Sequence, residues 1–310
     1  MEDRARLGLG IGFGIAAGAL WGLVFLAPEL ARDFTALQLA AGRYLVYGLI
    51  SAGLLVPRWR PLHAWLEGSH WRGLVGLSLL GNILYYVLLA SAVQWGGVAM
   101  TSLVIGFLPV VVTLVGSRAA GAISLRRLAP SLWLSAMAIA CIAWQAMAGT
   151  QGQTHPHRLL GLLCAIGALA AWTAYAVVNA RWLARLDHVS AHDWNLLTGV
   201  VTGALALLLV PVALLADATT HDTSAWLRFL AISTGIAVFA SILGNGLWNR
   251  MSRLLPLTLV GQMILFETLF ALLYGFLWER RLPTAIECLA VVALVTGVLL
   301  CVRVHRPHAA

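Results

Sequence analysis

Apolar runs long enough to cross a bilayer recur from one end of this 310-residue chain to the other, and that recurrence limits the fold more than any motif does. A spanning helix needs about 20 mostly apolar residues, because each adds about 1.5 Å of rise against a hydrocarbon core about 30 Å thick. Ten such runs are expected, over residues 8–27, 36–56, 73–94, 98–116, 129–148, 159–182, 195–215, 228–248, 255–277 and 284–303. Pro, Gly and charged clusters mark the breaks, as from Pro57 to Pro61 and from Gly149 to Gln153. No connection is long enough to hold a soluble domain. Within hydrocarbon, only helices and closed barrels satisfy every backbone donor and acceptor. Runs of this length therefore predict an all-α, polytopic membrane protein with ten transmembrane helices. Only 10% of the residues are charged, against about 25% in soluble domains, so a multidomain soluble chain is excluded.

The net charge of +8 at first suggests nucleic acid. All 20 basic residues are Arg, however, and they sit mostly between apolar spans. That is the distribution of topology signals, not of a continuous phosphate-binding stripe. The N-terminus, the even-to-odd connections and the C-terminus hold 14 Arg; the opposite connections hold 5, and Arg43 lies inside the second span. The Arg-rich side faces the cytoplasm, which predicts a multi-pass protein with both termini cytoplasmic. The first apolar run reads as a retained helix, since no convincing small-residue cleavage pattern follows it. Cys141, Cys164, Cys288 and Cys301 all lie within apolar spans and form no CxxC pair, so no zinc site and no disulfide framework is expected.

The two halves resemble each other. Trp21 follows Gly8 by 13 residues, and Trp172 follows Leu159 by the same interval. Leu80-Gly81-Asn82 recurs as Leu243-Gly244-Asn245, and Leu108-Pro109 before Gly116 parallels Glu267-Thr268 before Gly275. The expected repeats are 1–152 and 153–310. Each holds five spans, an odd number, so the halves must enter the membrane in opposite directions. Many secondary transporters use this inverted plan to build a central site.

Several residues stand out against that background. Gly10, Gly14, Gly18 and Gly22 fall on one helix face, where a neighbouring helix can approach closely; static packing explains them better than a hinge. Most of the 13 Trp lie near span ends, where interfacial belts place them. Trp21 and Trp172 lie mid-span, which leaves buried packing or a cavity wall. Trp172, Tyr175 and Asn179 share one face, as do Asn82, Tyr85 and Tyr86, and Gln262 shares one with Phe266, Phe270 and Tyr274. An amide in hydrocarbon must face protein or water. Each can serve helix–helix hydrogen bonding; together they suit the wall of a site for an amphipathic organic molecule. Pro109 removes a backbone donor and frees a carbonyl near mid-membrane. The expected substrate-binding set is Trp21, Asn82, Tyr86, Pro109, Trp172, Tyr175, Asn179 and Gln262. Arg43 and Glu267 are the charges well inside spans, and a structural ion pair between them is the leading expectation. His188 and His192, flanked by Asp187 and Asp193, have a spacing that could bind a metal, but a short solvated connection is the favoured reading and no metal is expected.

The ten-span plan, the duplicated halves, Arg43-Tyr44, and the stretch from Phe266-Glu267-Thr268 through Gly275 to Glu279-Arg280-Arg281-Leu282 resemble the drug/metabolite transporter superfamily. Within it the chain resembles EamA-type members, including bacterial aromatic amino acid exporters of the YddG type. The resemblance covers nearly the whole chain. Thr268 stands where the family often has Pro, Ala119-Ala120-Gly121 lacks an acidic counterpart of Glu279, and Glu29 lies at the edge of the first span rather than within it. The resemblance implies a bacterial inner-membrane exporter and alone supplies the outward direction. Hydrophobic or aromatic amino acids and similar amphipathic metabolites are the expected substrates; an exporter of unrelated hydrophobic drugs is the alternative. A carrier of phosphorylated compounds should offer several cations, and this chain has no Lys. No HExxH or GxSxG motif supports an enzyme, and no ring of like charge supports a channel. No cofactor, no nucleic acid and no obligate protein partner is expected; the partners are the small-molecule substrate and the lipid bilayer.

Overall fold

In a computed structural model the chain is described over residues 2–31, 33–116, 124–148, 158–186, 188–216, 221–280 and 282–305. Every regular element among these residues is a helix. Among the described residues, six helices are long and apolar enough to cross a membrane: Ala5–Phe25, Ala36–His63, Gly68–Val93, Leu159–Leu183, Ala191–Ala216 and Thr223–Leu254. Leu259–Tyr274 and Cys288–Cys301 are shorter apolar helices. Leu108–Gly116 and Leu125–Ala148 fall in the regions of the expected fourth and fifth spans.

The expected break near residues 94–98 is not made. Helix runs from Gly68 through Ile105, and the turn comes at Gly106 and Phe107. Gly96 and Gly97 each cost only about 1 kcal/mol inside a helix, whereas an unpaired backbone group in hydrocarbon costs several. Pro109 then falls in the first turn of Leu108–Gly116, where its missing N–H is not needed. The corresponding stretch of the second half divides twice. Helix Leu257–Met263 is followed by a turn at Ile264, whose carbonyl accepts from Glu267 N at 3.0 Å, and by helix Leu265–Glu279.

Side chains cap the starts of Ala36–Leu55 and Thr223–Ile236. Thr35 and Gln38 form a reciprocal capping box, with Gln38 N donating to Thr35 Oγ1 at 3.2 Å and Thr35 N donating to Gln38 Oε1 at 2.8 Å. Asp222 accepts from Ala225 N at 2.8 Å and from the Ser224 hydroxyl; these donors hold its carboxyl below the ordinary carboxylate range.

Small residues bring the helices together. A Cβ on Gly10 would lie 2.6 Å from Leu255, one on Gly14 2.7 Å from Met251, one on Gly18 2.9 Å from the Glu267 backbone nitrogen, and one on Gly22 2.9 Å from that of Ala271. The four-residue glycine face of Glu2–Gly22 is thus the seat for the chain from Met251 to Ala271. Ala36–Leu55 crosses Ala191–Ala216 at Gly48 and Gly203, where a Cβ on either would meet the other's Cα at 2.6 Å. Arg158–Leu183 packs on Tyr85–Ile105, and Leu125–Ala148 packs on Ala285–His305.

Two long helices carry a π-helical stretch, Leu79–Leu84 and Ala237–Gly244. Leu80-Gly81-Asn82 lies inside the first, and Leu243-Gly244-Asn245 straddles the end of the second. A π turn leaves carbonyls without their usual partner. Side chains from neighbouring helices fill the gap: Tyr44 OH donates to Asn82 O at 3.2 Å, Trp21 Nε1 to Ala240 O at 3.1 Å, and Asn195 Nδ2 to Ile242 O at 3.0 Å.

Candidate functional site

The π-helical stretches border a cavity at the junction of six helical segments. Trp21, Val24 and Phe25 come from the end of the first helix, and Arg43 and Tyr44 from Ala36–Leu55. Gly81, Asn82, Tyr85 and Leu89 come from the first π-helical stretch and the helix that follows it. Trp172 and Tyr175 come from Arg158–Leu183, Asn245 from the start of Asn245–Leu254 just after the second π-helical stretch, and Glu267 from Leu265–Glu279. Together they line a small cavity of about 40 Å³, partly open to the surroundings.

One wall is a tryptophan cluster. The Trp21 and Trp172 rings meet edge to face with centroids 5.9 Å apart, and Trp248 lies behind both, at 4.9 Å and 5.3 Å. Such contacts add about 0.5–1.5 kcal/mol per pair beyond area burial. Trp21 Nε1 also donates to Asn245 Oδ1 at 3.0 Å, which fixes the indole against the second π-helical stretch. Tyr175 reaches the wall because Gly81 has no side chain; a Cβ there would lie 2.3 Å from the Tyr175 ring. Asn82 is held by donation from its Nδ2 to Thr202 Oγ1 at 3.0 Å.

The structure brings Trp21, Asn82, Trp172 and Tyr175 to one cavity, and places the other expected residues differently. Tyr86 packs edge to face on Tyr44 beside Arg43, outside the lining, and Tyr85 takes the lining position. Asn179 donates to Asn249 Oδ1 at 2.9 Å and accepts from Trp194 Nε1 at 3.2 Å, within helix–helix packing. Gln262 is fully buried, and its Oε1 accepts from Ser131 Oγ at 3.2 Å. The side chains of Pro109, Glu29 and Glu279 lie outside the described residues, as does Asp187.

Arg43 and Glu267 line the same cavity, but no ion pair joins them among the described residues. Arg43 donates Nε–H to Ser241 Oγ at 3.1 Å, and its guanidinium lies 5.0 Å from the ring centroids of both Tyr44 and Tyr86. The back edge of the fork is thereby fixed to neighbouring helices. The Glu267 carboxylate accepts no hydrogen bond among the described residues. His188 stacks on Trp65 at 4.0 Å, and Asp193 pairs with Arg58 at 2.8 Å, so the histidine segment is tied to neighbouring connections.

Asn245, Tyr44 and Gly81 belong to the lining although nothing on their own faces singles them out. Asn245 was within reach of the sequence, because it repeats Asn82 in the second half. Gly81 lies in the first π-helical stretch, and Tyr44 on Ala36–Leu55 reaches that stretch through its hydroxyl, which donates to Asn82 O.

The sequence pattern of the EamA-like transporter family matches this chain twice, over residues 8–144 and 159–303. The inner membrane protein YtfF of Escherichia coli (strain K12) is 32% identical over 307 residues, covering 95% of each chain. A crystal structure 17% identical in sequence superposes with a TM-score of 0.73 over 94% of this chain and 96% of its own; at that identity the likeness concerns the fold.

Proposed function

Since the chain belongs to the EamA-like transporter family, whose members move small molecules across membranes, we propose that it exports hydrophobic or aromatic amino acids and similar amphipathic metabolites across a bacterial inner membrane. The observation that carries this reading is the cavity itself: aromatic walls from Trp21, Trp172 and Tyr175, with Asn82 and Asn245 as polar anchors, drawn from helices in both halves of the chain. Large apolar walls with a few placed polar groups suit a ligand with an apolar body and a polar end.

The proposed mechanism is alternating access. Two five-helix halves, 1–152 and 153–310, rock about the central cavity and present it to each side in turn. Ten spans, entered in opposite directions by the two halves, are part of the proposal. It is supported by the twofold family match and by the π-helical stretches near Leu80-Gly81-Asn82 and Leu243-Gly244-Asn245. Flux in reconstituted vesicles tests the reading. Labelled Trp, Phe, Leu and Met are expected to show protein-dependent movement that Trp172→Ala reduces more than it lowers folded yield. Movement of a lipophilic cation with none of the amino acids would reject this reading in favour of a multidrug exporter.

A further inference from the structure

The cavity holds two opposite charges that do not neutralise each other by contact. A charge inside a membrane span is costly unless something compensates it, and such residues usually find a partner. Arg43 is buried, yet no carboxylate among the described residues pairs with it. Its Nε–H is committed to Ser241, and the faces of Tyr44 and Tyr86 hold the guanidinium plane. Arg43 also lines the cavity, and a guanidinium fork matches a carboxylate in two-point geometry. Glu267 lines the same cavity from another helix and has no donor among the described residues. Trp21 and Trp172 lie within the same lining.

We propose that Arg43 and Glu267 are the two poles of a zwitterion site, the guanidinium taking the α-carboxylate of an amino acid and the Glu267 carboxylate taking its α-ammonium, while the substrate side chain rests on Trp21 and Trp172. This rests on the transport reading given above and narrows it to molecules that carry both charges. A zwitterion would supply a partner for each of the two charges at once. A lipophilic cation satisfies Glu267 and leaves Arg43 unpaired; an aromatic acid does the reverse. Selectivity for the zwitterion therefore comes from the penalty of leaving one buried charge without a partner.

The test is competition against labelled Trp in vesicles carrying the full-length protein. Unlabelled Trp, tryptamine (no carboxylate) and indole-3-propionate (no ammonium) share one ring system and differ only in charge. With the wild-type protein, each analogue is expected to compete at least about tenfold more weakly than Trp, since a site built around a polar group rejects a ligand lacking it. In Arg43→Gln, potency of Trp should fall by about tenfold while that of tryptamine stays within about twofold; Glu267→Gln should do the same with indole-3-propionate as the unaffected ligand. Equal competition by all three ligands on the wild-type protein overturns the zwitterion site and leaves the transport reading standing. So does a parallel loss of Trp and tryptamine competition in a well-folded Arg43→Gln protein. No protein-dependent flux of Trp, Phe, Leu or Met overturns the transport reading and the site with it. The wild-type comparison needs no substitution, so it decides between these outcomes even where a variant fails to fold.

Discussion

Gly48 and Gly203 set the distance between two central helices. Replacing a helical Gly by Ala normally gains about 1 kcal/mol of helix propensity. At this crossing the added Cβ would lie 2.6 Å from the facing Cα, and backbone cannot swing aside as a side chain can. Overpacking costs about 1–3 kcal/mol and wins. Gly48→Ala should therefore lower the thermal midpoint in detergent, whereas Gly53→Ala, with nothing within 4 Å of the added atom, should leave it unchanged or raise it. Equal effects at the two positions would refute the close crossing. The tryptophans separate in a similar way. Trp21 shares its one indole N–H between Ala240 O and Asn245 Oδ1, so Trp21→Phe forfeits that donor at a cost of about 1–3 kcal/mol and should lower stability along with flux. Trp172 contributes ring contacts and no hydrogen bond among the described residues. Trp172→Phe should spare stability and change flux alone, as read by parallel melting and transport curves.

At the scale of elements, the two π-helical stretches depend on their neighbours. Asn195 donates from Nδ2 to Ile242 O at 3.0 Å, and its own Oδ1 and backbone carbonyl accept from Tyr47 OH at 3.0 Å and 2.8 Å. Asn195→Ala leaves the π-stretch carbonyl without that donor. Leaving a buried acceptor unpaired costs about 1–3 kcal/mol. Amide exchange should accelerate in Ala237–Gly244 more than in Leu79–Leu84, whose support from Tyr44 is untouched. Uniform acceleration of both would show that the asparagine acts on the whole bundle.

At the scale of the molecule, the glycine seat ties the first helix to the chain from Met251 to Ala271, so the two ends of the sequence share one packing unit. The proposed orientation follows from the Arg distribution rather than from packing. Reporters active only in the cytoplasm should give signal when fused to either terminus; silence at both would invert the orientation, and disagreement would change the number of crossings.

The sequence by itself determined that the chain is helical and membrane-spanning, because hydrocarbon leaves the backbone no other way to satisfy itself over such long apolar runs. The glycine face and the mid-span Trp21 and Trp172 were also legible, since four-residue spacing and distance from a span end depend only on local order. Other features were decided by the tertiary structure. Asn179 and Gln262 carry the same amide as Asn82, yet the first is engaged by Asn249 and Trp194 and the second by Ser131, while Asn82 lines the cavity. The expected contact between Arg43 and Glu267 gave way to Ser241 and two tyrosine rings for the same reason. Which partner a buried polar group meets depends on the rotation and depth of a helix distant in sequence, and periodicity along one helix carries no information about either.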